Sequence, residues 1–285
     1  MLELMLPPLV ACMVIVAIHS YLGLHVIARE VIFVDLSLAQ MAALGSTVAL
    51  LVGFGPDSRQ TFLLALGFTT FGALLFSLTR TNGKGSVPQE AIIGIVYVVA
   101  SAAALLVADQ TARGGDAIKD ILVGSLLWVT WPVIGRMALA YLVIGLFHYL
   151  LRRRFLTISF DPDSAARMGW RVRWWDFWFY LSFGMVITFS VPIAGVLLVF
   201  SFLVVPAAIA FQFTRDHRKL SLLAWISGVM ASAGGILVSF KYDLPTGPLV
   251  VCAFGVLLVL TFAVRQLLRL EAPREVAREE VTGGH

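Results

Sequence analysis

The chain has 285 residues, of which 59% are hydrophobic and only 13% charged, with a net charge of +4 and a mean hydropathy of +0.91; a soluble domain carries roughly 25% charged residues. So few charges cannot cover a water-soluble surface, and the basic residues lie beside apolar runs, where membrane topology explains them and a nucleic-acid partner is not needed. Cys12 and Cys252 both sit inside apolar runs, which excludes a disulfide framework and a cysteine metal site.

Apolar runs of roughly 20 residues, enough to cross ~30 Å of hydrocarbon, predict helices at about 6–28, 31–53, 61–80, 89–108, 132–151, 175–192, 194–213, 219–240 and 247–268. Backbone groups in lipid must pair within their own segment, so each span is a helix. The first run lacks a basic n-region and a small-residue cleavage site and reads as a span. Ile118 to Thr130 is apolar but too short to cross; ending near Trp128 and Trp131, it predicts an interfacial or re-entrant helix with an aromatic anchor. The expected fold is all-α, a polytopic transmembrane helical bundle of nine spans. Residues 1–270 form the membrane domain and 271–285 a frayed cytoplasmic tail without assigned function.

Orientation follows from Lys and Arg. One set of loops holds Arg29, Arg80, Lys84, Arg152 to Arg154, Arg167, Arg171, Arg173, Arg215, Arg218, Lys219 and the basic tail; the other holds only Arg59, Arg113, Lys119, Arg136 and Lys241. The positive-inside rule puts the first set in the cytoplasm, with the N-terminus outside and the C-terminus inside. Between the fifth and sixth spans, on that cytoplasmic side, 152–173 carries the polar stretch Asp161-Pro-Asp-Ser-Ala-Ala-Arg-Met-Gly169, a place where a soluble motor can grip a membrane subunit.

Ionisable groups within spans are costly and mark function by default. His19 and His25 descend the first span, and Asp35 and Gln40 climb the second; a hairpin centred near residue 30 sets His25 level with Asp35 and His19 level with Gln40. Imidazole, carboxylate and amide oxygen at two depths could pass a divalent cation. At 100° per residue, however, His19 and His25 stand about 120° apart and Asp35 and Gln40 about 140°, so all four cannot face one path. The competing reading pairs His25 with Asp35 or Arg29 and bonds His19 to a carbonyl. Glu90 opens the fourth span, where the helix dipole favours an acid, and Pro192 and Pro206 break or kink the hairpin 191–213. His148 and His217, at cytoplasmic helix ends, read as solvated. No phosphate-binding loop is present: Gly83-Lys84-Gly85-Ser86 lacks the spacing, so ATP would have to bind another chain.

Five ordered motifs resemble the ABC-type permeases for zinc, manganese and iron(II), a family related in fold to the vitamin B12 and siderophore importers. They are Gly23 to Arg29 leading into Val31 to Gly45, Glu90-Ala-Ile-Ile-Gly94, Phe160 to Gly169, Val191 to Ala210, and Tyr242 to Gly247. The resemblance implies a homodimer in the bacterial inner membrane with a path at or near the interface. It also implies cytoplasmic ATPase subunits that bind the ATP, and an extracytoplasmic metal-binding protein that delivers the ion. No cofactor resides in the chain, which is not itself an enzyme. The family's coupling helix maps onto Asp161, Asp163, Arg167 and Gly169. Its usual Asp-x-x-x-His pair is missing from the second span, where Leu36 and Gln40 take those positions and Asp35 falls one residue early.

That departure leaves other cargos open. An ABC permease for a metal chelate or another small solute shares the architecture. An ion-coupled secondary carrier would need midplane acids on broken helices, for which Asp35 is a thin basis, and an intramembrane enzyme lacks an adjacent nucleophile and base.

Overall fold

A computed structural model describes residues 2–80, 87–111 and 122–268, with side chains from Met5 onward. Among these residues there is no strand. The helices are α1 (Leu2–Ala28), α2 (Val34–Leu51), α3 (Arg59–Leu78), α4 (Gln89–Asp109), α5 (Trp131–Leu150), α6 (Arg152–Phe160), α7 (Pro162–Arg167), α8 (Val172–Phe213), α9 (His217–Tyr242) and α10 (Thr246–Leu267). Eight of them are long and apolar enough to cross a bilayer. The tail 271–285, Lys84, Arg113, Lys119 and the stretch Gly83 to Ser86 lie outside the described residues.

Helix α8 accounts for the difference between eight segments and nine expected crossings. At 1.5 Å per residue its 42 residues would measure about 63 Å if straight, twice the hydrocarbon thickness. It folds back instead. Near its start Asp176 binds Arg29 at 2.7 Å, while near its end Ala207 and Ala210 pack with Leu24. Arg29 and Leu24 are neighbours at one end of the first span, so both ends of α8 lie at that end, and its arms 172–194 and 196–213 run antiparallel.

The reversal sits at Gly195, with φ 76° and ψ 157°, a region essentially reserved for glycine. Pro192 and Pro206, expected to break or kink the segment, do not break it: both stay within helical backbone angles, and the turn is set instead by a backbone-on-backbone contact. Gly124, itself at φ +72°, lies against it so closely that a Cβ on Gly195 would come 2.4 Å from the Val123 carbonyl carbon. Ser125 then donates from its N–H to the Ile193 carbonyl at 3.0 Å and from its hydroxyl to the Pro192 carbonyl at 3.2 Å. The carbonyls that the turn removes from the helix are thereby satisfied.

This clasp lies within the stretch expected to form an interfacial or re-entrant helix over 118–130. Residues 118–121 are outside the described set; Leu122 and Val123 are helical, and the helix stops at a glycine turn followed by a three-residue 3-10 helix, Leu126–Trp128, where the segment spends its polar groups on the α8 turn. Trp128 is 76% exposed and Trp131 51%, as an aromatic anchor requires. A second adjustment concerns α2, which begins at Val34 and not at 31. Glu30 takes a left-handed conformation, φ 55°, and the Glu90 carboxylate accepts the Phe33 N–H at 3.0 Å. Glu90 thus serves the start of α2 as well as standing in the first turn of its own helix.

The α8 hairpin is the axis of the bundle, packed by α1, α2, α3, α9 and α10. Of its most apolar stretch 72% is buried, against 22% for α4 and 11% for α10, so those two helices face outward. Phe179, Phe183, Ile187 and Phe202 on α8 meet Leu22 on α1 in the core.

Candidate functional site

Three separate polar clusters occupy the interior. In the middle of α1, His19 is fully buried and its Nδ1–H donates to the Ile15 carbonyl at 2.9 Å. Its Nε2 faces the Ser190 hydroxyl at 3.3 Å, and Ser190 is hydrogen-bonded in turn to the Tyr141 hydroxyl. His19 therefore ties α1 to α5 and α8, with both nitrogens engaged.

His25 belongs to a second cluster at the end of the bundle that carries Arg29 and Arg152 to Arg154, here called the basic end. Its Nδ1 lies 2.8 Å from the Ser159 hydroxyl, which also accepts Arg29 Nε at 2.7 Å. Arg29 reaches on to Asp176 Oδ1 at 2.7 Å, and Arg80 bonds the other oxygen, Oδ2. The Arg29 guanidinium lies over the Phe179 ring, 4.0 Å from its centroid. One carboxylate thus joins the ends of α1 and α3 to the start of α8, and Ser159 brings in α6. The expectation that His148 is solvated is wrong: it is 1% exposed, stacks on Phe155 at 4.4 Å and bonds the Ser182 hydroxyl at 2.8 Å. The cause is α6, which folds back under the bundle and covers it. His217 does stay exposed, with its ring 4.4 Å from that of Phe160.

Asp35 occupies a third place. It is 1% exposed, in the first turn of α2, and its Oδ1 has no hydrogen-bond partner. The charge within its electrostatic reach is Glu90, whose Oε2 is also buried without a partner, as is the Ser37 hydroxyl. The pairing of His25 with Asp35 does not occur: His25 faces α6 and α8, while Asp35 belongs to the α2–α4 interface. Gln40, 9% exposed, lies further along α2. Among the described residues no three His, Cys, Asp or Glu side chains gather into a metal site, so His19, His25 and Asp35 do not form one among themselves.

The polar insert forms α6 and α7. Asp161 accepts the Ser164 N–H at 3.2 Å as N-cap of α7, and Arg167 donates to the Ser164 hydroxyl at 2.5 Å. The helix stops at Gly169, φ +68°. There the Gly169 N–H bonds the Ala166 carbonyl at 3.0 Å and the Trp170 N–H the Ala165 carbonyl at 3.2 Å, the pair of bonds that defines a Schellman cap. Asp161, Asp163, Arg167, Met168 and Gly169 are exposed, and buried Ala165 anchors the turn from beneath.

Gly169→Ala meets no atom within 4 Å of the new Cβ, so its only cost is the left-handed backbone, about 1–2 kcal/mol. Hydrogen exchange should speed up at Gly169 and Trp170, with the global unfolding temperature lowered by no more than a few degrees. Unchanged exchange at those amides would show that the cap does not depend on the glycine.

The residues missed from sequence are Asp176, Ser159, Tyr141 and Ser190. Only Asp176 carried a signal: an acid in the aromatic run Trp174-Trp175-Asp176-Phe177-Trp178 at a span end demands a counter-charge.

Comparison with known proteins places this geometry. The model of a family described as "ABC 3 transport family" matches residues 1–265. A probable metal transport system membrane protein of Chlamydia muridarum is 22% identical, over 97% of this chain and 94% of its own length. The manganese import system permease protein ScaB of Streptococcus gordonii is 25% identical over 73% of the chain and 77% of its own length. Among solved structures, PsaBC from Streptococcus pneumoniae in complex with Fab superposes with a TM-score of 0.75 at 18% identity, covering 92% of this chain and 94% of that one. An inward-facing putative metal-chelate type ABC transporter gives 0.68 at 18% identity, over 91% and 85%. At those identities the two structures bear on the fold alone.

Proposed function

The chain belongs to the ABC 3 transport family, and from that premise we propose that it is the permease subunit of an ATP-driven importer of a divalent transition metal: manganese, zinc or iron(II). Relatives named for manganese import support the cargo class. The observation that carries the reading is the capped, exposed α7, presented at the basic end on α6, which Ser159 ties to Arg29 and so to Asp176.

By the positive-inside rule the basic end is cytoplasmic, in the inner membrane of a bacterium. An ATPase subunit docks on Asp161, Asp163, Arg167 and Gly169, and the ATP is bound and hydrolysed there. A push on α7 moves α6. Through Ser159 and Arg29 it reaches α1, and through Asp176 it reaches α3 and the α8 hairpin, so the spans tilt as a connected set. Two copies form the transporter, with the metal path at or near their interface, and an extracytoplasmic binding protein delivers the ion at the Gly124–Gly195 end.

Asp35 is the residue of the path best suited to a cation, since it keeps a carboxylate oxygen without a partner in the interior. His19 and His25 hold helices together, and with Gln40 they contact the metal only in transit. A chelate as cargo is the second reading, favoured by the fact that no three ligand side chains gather among the described residues.

Charge reversal at Arg167 tests the docking. Arg167 is exposed and donates to its neighbour Ser164, so Arg167→Glu should leave the permease folded yet lose co-purification with its ATPase. A variant that still brings down stoichiometric ATPase would contradict the assigned surface.

A further inference from the structure

Helices α5 and α9 both pack on α1 but not closely on one another. They leave a cleft of about 1020 Å³ over α1 at the basic end, lined deep by Ala17, Ile18 and Gly145 and at its mouth by Arg152 of α6 and Arg218 of α9. Ala17 stands eleven residues from the end of α1, so the cleft reaches roughly 16 Å up from that end, well into the hydrocarbon. Its floor is apolar and its rim cationic.

We propose that this cleft is a binding site for an anionic phospholipid, with an acyl chain against Ala17, Ile18 and Gly145 and the phosphate between Arg152 and Arg218. The proposal rests on the bilayer placement of the helices and not on the cargo.

The lining decides between kinds of occupant. Arg152, whose guanidinium also lies 4.8 Å from the Tyr149 ring centroid, and Arg218 repel a metal ion leaving by this route and attract an anion. The acid at the mouth, Asp216, is spent on the backbone: it accepts the Arg218 N–H at 2.8 Å and the Lys219 N–H at 3.1 Å, and the Lys219 and Arg218 N–H groups hold its carboxyl below the usual range. His148 has both nitrogens occupied, by Tyr21 and Ser182, and is not offered to a ligand. Small residues on α1 and α5 leave room for a chain where a larger side chain would close the gap. Basic clefts between spans on the cytoplasmic side suit anionic headgroups, at about 1 kcal/mol for each Lys or Arg near the surface.

The test uses the permease with its ATPase in an uncharged detergent, titrated with phosphatidylglycerol and, separately, with phosphatidylcholine, bound lipid being read by native mass spectrometry. Wild type should bind phosphatidylglycerol saturably and in preference to phosphatidylcholine, and Arg152→Gln with Arg218→Gln should weaken it about 30-fold, with an unchanged size-exclusion profile. The proposal is overturned by equal binding in the double variant, or by inorganic phosphate displacing the lipid as well as phosphatidylglycerol does. Disulfide formation between two copies carrying Arg152→Cys in vesicles also overturns it, since a second chain would then occupy the cleft.

Discussion

Asp176→Ala should lower the stability of the folded permease by about 3–5 kcal/mol, because it strips the counter-charge from one buried and one partly buried arginine at once. Asp176 is fully buried, with the side chain of Arg29 4% exposed and that of Arg80 17%. An arginine left without its acid there must either stay charged in a poor dielectric or pull its helix toward water, and Arg29 already has Nη2 buried without a partner. Thermal unfolding of the purified protein in detergent measures the loss, which should appear as a lower midpoint and an aggregating fraction on size exclusion. Arg80→Gln should cost less, since Arg80 is the more exposed partner and Arg29 still meets the carboxylate. Replacing all three by apolar residues (Arg29→Met, Arg80→Met, Asp176→Leu) should recover much of the stability, as apolar replacements of buried ion clusters do, while weakening the link from α6 to the spans. An Asp176→Ala protein as stable as wild type would remove the cluster from the account.

Gly195→Val should be nearly as damaging, for an unrelated reason. The backbone at φ 76° and ψ 157° strains any residue with a Cβ by about 1–3 kcal/mol. The new carbon would also meet backbone: Val123 C at 2.4 Å, Gly124 N at 2.6 Å and Leu122 O at 2.6 Å. Overpacking adds about 1–3 kcal/mol, and neither wall can rotate away as a side chain could. Because the turn holds the two arms of the central hairpin together, the damage should spread beyond the loop. Protease accessibility near 122–125 would rise and the yield of folded protein fall. Gly234→Val, at a glycine where an added Cβ would have no atom within 4 Å, is the control and should be tolerated; equal behaviour of the two variants would contradict the argument.

Much of the architecture was legible because lipid imposes it. A span must be apolar, long and helical, and it must keep its arginines on one side, so Arg29 and Arg80 could be assigned to the same end before their meeting was visible. What could not be read was their partner: Asp176 lies 147 residues from Arg29 and 96 from Arg80, and no local pattern encodes that separation. The fold-back was legible to within two residues, since the spans were read as 175–192 and 194–213 and the turn is at Gly195; what was not legible is the contact with Gly124 that fixes it. His25 and Asp35 show the limit of reasoning from depth alone. Both lie near the turn between α1 and α2, yet the facing of each helix is decided by neighbours, α6 and α8 for one and α4 for the other.

The claim at the centre of the account is that this chain carries a divalent metal inward under the drive of a separate ATPase. Proteoliposomes holding the chain with its ATPase and binding protein, assayed for uptake of manganese, zinc and iron(II), test it most directly. The account predicts accumulation of one of these ions that requires ATP hydrolysis, and its loss in Asp35→Asn while ATP hydrolysis continues. An assembled complex that hydrolyses ATP and accumulates none of the free ions would contradict the metal reading and leave a chelate or another small solute as the cargo.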